Sequence, residues 1–263
     1  MIIKWLTMRS IFILLVWSVL ILSRPATAET LTIVSDYWFP MNGEPDSDMP
    51  GYMIELSKAI FEPHNIKIIY KILPWERAVK QTRVGTYNCV VGAYKSDTPD
   101  FIFPKSHWGY DSPKFYTEVM DSWDYDGTLA SLNNRKIGVI QGYNYEDSFD
   151  NYAKANSGIH IQFSRGESAL ETNIKKLLAG RIDTLLDSSS VVNAKLNEMN
   201  KGNTLREAGN IIEPVKMYIA CSPKLLTSKR YADIIDNETQ RLTKNGELQK
   251  ILRKYGLRMW KAN

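Results

Sequence analysis

Val79-Lys-Gln-Thr-Arg-Val-Gly-Thr-Tyr-Asn88-Cys-Val-Val-Gly-Ala93 and Ile174-Lys-Lys-Leu-Leu-Ala-Gly-Arg-Ile-Asp183-Thr-Leu-Leu-Asp187 follow one grammar. Each passes from an amphipathic stretch at helical spacing to a Gly, takes a short polar step through Asn88 or Asp183, and enters a brief apolar run. Gly just beyond the last periodic residue is a left-handed helix stop, and a short apolar run behind it suits a strand covered on both faces. The two copies therefore predict two βαβ half-units. Two similar α/β lobes facing each other across a cleft are the expected architecture, and such clefts take small molecules.

Outward from these copies, the first 28 of the 263 residues read as a secretory signal peptide. Lys4 and Arg9 precede an apolar run over residues 11–22, and Ala26-Thr27-Ala28 supplies an A-x-A cleavage step. The run is short for a membrane span, although an uncleaved anchor satisfies part of the same pattern. Export to the periplasm of a Gram-negative cell is the expectation. The whole chain carries a net charge of +4, but Lys4, Arg9 and Arg24 lie in the leader with no acid beside them, leaving +1 from residue 29 onward. A near-neutral chain without clustered Lys and Arg interleaved with aromatics gives no nucleic-acid surface.

Cys89 and Cys221 are the two cysteines, each in an apolar, strand-like run. An oxidising compartment invites a disulfide between them, and two buried free thiols fit the same pattern. His64, His107 and His160 have no ligand spacing to one another or to the cysteines, so no metal site and no cofactor is expected.

Along the remaining chain, residues 31–35 read as a first strand and lead into the aromatic, acidic loop Asp36-Tyr-Trp-Phe-Pro. A helix over 51–61 ends at Pro63, a strand follows over 66–73, and Pro74 opens the next helix. The extended stretch 115–120 reads as the passage to the second lobe. That lobe repeats the pattern with strands over 136–140 and 159–163 and helices from about 146, over 168–178 and over 188–198. Residues 215–221 read as one strand, and 228–255 as a helix broken at Asn245-Gly246. The expected division is lobe 1 over 29–112 plus 214–263 and lobe 2 over 113–213.

In order and spacing, Gly51-Tyr-Met-Ile-Glu, Pro74-Trp-Glu-Arg, Phe101-Ile-Phe-Pro, Leu132-Asn-Asn-Arg-Lys-Ile-Gly-Val-Ile-Gln-Gly-Tyr-Asn-Tyr and Leu178-Ala-Gly-Arg-Ile-Asp resemble the family 3 bacterial extracellular solute-binding proteins. These are the periplasmic amino-acid-binding-protein-like components of ABC transporters. The resemblance implies an α/β type II periplasmic-binding fold whose lobes are joined by a two-strand hinge and close on a ligand. It further implies a monomer that takes a small polar ligand, an amino acid or related compound, and delivers it to a membrane permease.

The resemblance also places the candidate ligand residues. Tyr37, Trp38 and Phe39 correspond to the family's aromatics after the first strand, Tyr143 and Asn144 to donors at a helix start in the second lobe, and Asp187 or Ser188 to the acceptor of an α-amino group. The family's carboxylate-binding Arg is missing, because Ser96-Asp97-Thr98-Pro99-Asp100 stands where a Thr-x-x-Arg step belongs. Physical reasons support several positions independently. A helix starting after Gly142 would aim its free N–H groups at the cleft, unless the segment is an ordinary turn. Asp187 at the carboxyl end of a buried strand lies where open α/β sheets bind ligands, unless it caps the following helix. Trp75 and Arg77 at a helix start, with Tyr94 at a strand end, supply stacking, a bidentate carboxylate grip and a polar wall. Their alternatives are a Trp packed in lobe 1, an Arg in a surface ion pair and a buried Tyr. Two other functions fit the same pattern: a receptor for a membrane sensor, and a lyase or dehydratase with an acid or base in the cleft.

Overall fold

The computed structural model describes residues 29–260; the leader read from residues 1–28 lies outside them. Strand β1 (Glu29–Ser35) is followed by helix α1 (Tyr52–Phe61), a 3₁₀ turn, β2 (Ile66–Ile72), α2 (Trp75–Arg83) and β3 (Cys89–Ala93). The short β4 (Tyr110–Asp111) precedes β5 (Pro113–Glu118), β6 (Ile137–Ile140), α3 (Asp147–Ala155), β7 (Ile161–Ser164), α4 (Ala169–Leu178), β8 (Thr184–Ser188), α5 (Ser189–Glu198) and β9 (Leu205–Asn210). Then come β10 (Val215–Lys216), β11 (Tyr218–Cys221), α6 (Ser228–Lys244) and α7 (Glu247–Lys254).

Two sheets form, in the orders β11-β3-β1-β2 and β7-β6-β8-β5-β9. Within them β1 runs parallel to β2 and β3, and β6 runs parallel to β7 and β8. Both copies of the repeated phrase thus end in strands that pair in parallel with an earlier strand of the same sheet, β3 with β1 and β8 with β6. Gly85 and Gly180 terminate the preceding helices at φ 85° and 64°, as a left-handed stop requires. Between the sheets, β4 and β10 pair antiparallel as a two-strand hinge.

Three elements differ from the sequence reading. The stretch assigned as a passage is β5, an interior strand of the second sheet, antiparallel to both β8 and β9; the crossing is made earlier, at β4. Residues 215–221 are two strands, because the chain changes sheets at Met217, whose N–H donates to the Gly109 carbonyl at 3.0 Å. The strand β9 had no sequence signature, since only Leu205 and Ala208 of Leu-Arg-Glu-Ala-Gly-Asn are buried, a spacing of three and not of two.

Cys89 and Cys221 form a disulfide between directly opposed residues of β3 and β11. It is separated by 132 residues of chain, a span that includes every strand of the second sheet. Closing so long a loop restricts the unfolded state, so the double replacement Cys89→Ala, Cys221→Ala should lower unfolding free energy by about 3–5 kcal/mol. Denaturant melts of the oxidised protein and the double variant check this; coincident midpoints would contradict it.

Candidate functional site

The carboxyl ends of β1, β3, β6 and β8 converge on the space between the sheets, where open α/β sheets place their ligands. From β1 the chain enters the loop carrying Asp36, Tyr37, Trp38 and Phe39. Asn42 fixes that loop by donating from Nδ2 to the Asp36 carbonyl at 2.5 Å and to Ser35 Oγ at 3.2 Å. Trp38 lies flat against β3 because residue 92 is Gly: a Cβ there would stand 3.2 Å from the indole, at a φ of 80° that favours Gly in any case.

Two connected cavities occupy the cleft and share Asp36, Trp38, Trp75, Tyr143 and Asp187 as walls. The first continues past Tyr37, Glu167, Lys195 and Glu198, and the second past Tyr94, Asp97, Asp111, Tyr145 and Ser188. Each has room of about 40 Å³, enough for a water but not for an amino acid. The lobes are drawn together by contacts across them. The Tyr143 hydroxyl donates to Asp36, and Asn144 Nδ2 donates to Asp97 Oδ1 at 3.3 Å. Gly142 sits against Glu76, where an added Cβ would meet the Glu side chain at 3.1 Å.

Asp187 is 2% exposed. Its Oδ1 accepts from the Ser188 N–H at 2.7 Å, while Oδ2 and the nearby buried indole N–H of Trp38 have no hydrogen-bond partner. Burial, with the charges of Asp111 and Asp36 adding to it, pushes its carboxyl up to about 8, against the lowering effect of the Ser188 N–H and of Trp38. Asp97 rises to about 7, chiefly through burial. Burial likewise raises Asp36 and Asp111, opposed by the hydroxyls of Tyr143 and Tyr94. Tyr94 donates to Asp111 Oδ2 at 2.5 Å, tying the end of β3 to the hinge strand β4.

Eight of the ten residues singled out by sequence therefore border the cleft without qualification: Tyr37, Trp38, Trp75, Tyr94, Tyr143, Asn144, Asp187 and Ser188. Phe39 touches the first cavity but packs its ring on Tyr255, 5.9 Å between centroids, and serves lobe 1. Arg77 is exposed and lines neither cavity. Two residues along a helix is a turn of about 200°, so with Trp75 facing the cleft Arg77 faces solvent. The helix expected from about 146 is α3, beginning at Asp147, so Tyr143 and Asn144 lie in the turn before it and not at its first amides. Glu146 accepts from the Phe149 N–H at 2.9 Å, and Asp150 accepts from the Tyr145 N–H at 3.2 Å. Asp187 does not cap α5; Ser188 occupies that position.

Sequence reading missed Asp36, Asp97, Asp111 and Tyr145 as cleft residues. Asp97 carried a legible signal, an acid in the loop where the resemblance calls for a base. Asp111 carried none, being a lone acid in a two-residue strand. Among the described residues no three His, Cys, Asp or Glu side chains gather as metal ligands do.

Compared with known proteins, the chain matches no family model and no curated sequence. Solved structures do resemble it. A mutant of ArgBP from T. maritima superposes with a TM-score of 0.71 at 13% identity, covering 86% of this chain and 95% of that one. The fold is that of the periplasmic binding proteins. An ABC uptake transporter substrate-binding protein from Streptococcus pneumoniae with bound histidine gives 0.70 at 18% identity, over 86% and 92% of the two chains. A histidine kinase sensor domain with similarity to periplasmic binding proteins gives 0.71 at 15% identity, over 89% and 99%. At these identities the likeness is one of fold. Among the described residues no helix is long and apolar enough to cross a membrane.

Proposed function

We propose that this chain is a periplasmic solute-binding protein of the family 3 type. In this reading it captures a small polar ligand between lobe 1, residues 29–112 with 214–263, and lobe 2, residues 113–213, and hands it to an ABC-type permease. The observation that carries the reading is the cleft itself. Aromatics from one lobe and polar groups from the other enclose a buried, unpartnered carboxylate oxygen on Asp187 at the joint of two cavities. Contacts across the cleft, Tyr143 to Asp36 and Asn144 to Asp97, are of the kind that a hinge at β4 and β10 makes and breaks.

Capture, release and recapture are supported by the small room left between the lobes, since a ligand enters only when they part. The binding walls are Tyr37, Trp38, Trp75, Tyr94, Tyr143, Asn144, Asp187 and Ser188, with Asp36, Asp97 and Asp111 added. The likeness to a kinase sensor domain favours a second reading, in which the liganded form signals to a membrane sensor. Genes for a permease and an ATPase beside this one would favour uptake, and a sensor gene would favour signalling.

A thermal-melt screen of residues 29–263 against amino acids, polyamines, opines and organic acids tests the binding reading. A ligand at a hundred times its Kd contributes about 2.7 kcal/mol to the folded state, which raises the midpoint of a chain this size by roughly 5–10 °C. A panel in which no member moves the midpoint would sink the reading.

A further inference from the structure

Every charged side chain in the second cavity, the one past Tyr94 and Asp97, is an acid. Asp36, Asp97, Asp111 and Asp187 line it, and no Lys, Arg or His does. The one base of the first cavity, Lys195, is already held by Glu198 at 2.7 Å and lies over the Tyr37 ring at 4.8 Å. An acidic lining alone is often a solvated surface, but here Asp187 is 2% exposed, lines both cavities and carries an oxygen without a hydrogen-bond partner.

Nothing in this cleft is built for a carboxylate. The loop after β3 carries Asp97 where the resemblance calls for a carboxylate-binding Arg, Arg77 is exposed and lines neither cavity, and at the start of α3 Glu146 and Asp150 already accept from the Phe149 and Tyr145 N–H groups. A ligand carboxylate would be buried against four acids without a counter-charge, an arrangement that strongly opposes binding. Nor are the acids gathered on a point, as a metal ion needs. They come from four separate segments and are interleaved with the rings of Trp38, Trp75, Tyr94 and Tyr143.

We propose that the ligand of this cleft is an aliphatic di- or polyamine without a carboxylate, one ammonium group held among Asp187, Asp111 and Asp36 and another by Asp97, and its methylene chain lying between the aromatic rings. This inference rests on the solute-binding reading above and specifies its ligand. The raised carboxyls agree with it: a cation converts them to the ionised form and returns the attraction that burial otherwise opposes. Ammonium groups over Trp and Tyr faces gain further from the ring quadrupoles.

Titration calorimetry at pH 8 with three matched pairs tests the inference: 1,4-diaminobutane against ornithine, 1,5-diaminopentane against lysine, and agmatine against arginine. Within each pair the members differ by the α-carboxylate. The amine is expected to bind at least 100-fold more tightly than its parent amino acid, and Asp97→Asn to weaken 1,4-diaminobutane at least tenfold while the melting midpoint stays in place or rises. Parent amino acids that bind as tightly as the amines would overturn the ligand class and leave the solute-binding reading standing. A protein that binds none of the six, yet is stabilised by another solute of the broad screen, would overturn the amine alone. Failure against both sets would overturn both.

Discussion

Asp187→Asn should weaken amine binding by about 2–5 kcal/mol, roughly 30-fold to several thousand-fold, because it removes one partner of a buried charge pair. The same substitution should make the ligand-free protein more stable at pH 8. In the folded state the Asp187 carboxyl titrates near 8; unfolded, it titrates near ~3.9. Between those values the folded state holds a proton that the unfolded state has lost, so stability falls as pH rises, by about 1.4 kcal/mol per unit for each such proton. Below the unfolded value the group makes no difference. The groups facing it are Asp36, Asp111, Tyr94, Tyr143 and Tyr145, with Trp38 beside it. Asp36 and Asp111 titrate as a set with it, so the variant should lose about one proton's worth of slope and not the whole dependence. Denaturant unfolding at pH 5, 6.5 and 8 reads the slope directly. Parallel pH profiles for the variant and the parent would mean that Asp187 stays ionised in the fold.

Trp38→Ala is the second large effect. The indole is buried at 7% exposure, packs on Gly92 and forms part of the wall of both cavities. Its removal should cost about 3–5 kcal/mol of stability, as deleting a buried aromatic does, and should abolish measurable amine binding along with the ring face. Because loss of binding could follow from damage to the fold, Trp38→Phe separates the two. Its indole N–H is buried without a partner, so a phenyl ring should keep most of the stability while lowering affinity through the weaker cation–π contact. A Trp38→Ala protein that melts with the parent and binds with parental affinity would place the indole outside the energetics of the cleft.

The sequence exposed those parts of the architecture that depend on local period and backbone geometry. Gly85 and Gly180 stop their helices, the runs behind them become β3 and β8, and the two half-units follow. What it concealed depends on partners far along the chain. The strand β9 pairs with β5 although its own pattern does not alternate, and Met217 turns the chain between sheets through bonds to residues near 109. The same distinction divides the site. Trp38, Tyr143 and Asp187 stand at strand ends and in loops where ligand positions are expected, and these were legible. Asp36, Asp97 and Asp111 acquire their character only when two lobes close over them, because an acid is unremarkable until its solvent is taken away. Arg77 shows the converse: a favourable residue type near a helix start was carried by the helical rotation to the wrong face.

In the proposed reading the space between the lobes holds a small organic cation. A crystal structure of residues 29–263 grown with 1,4-diaminobutane at pH 8 tests it most directly. The diamine is expected between the rings of Trp38, Trp75 and Tyr143, with one nitrogen within hydrogen-bond reach of Asp187 and the other near Asp97. A closed cleft occupied by a carboxylate-bearing solute, or the diamine bound only on the outer surface, would contradict it.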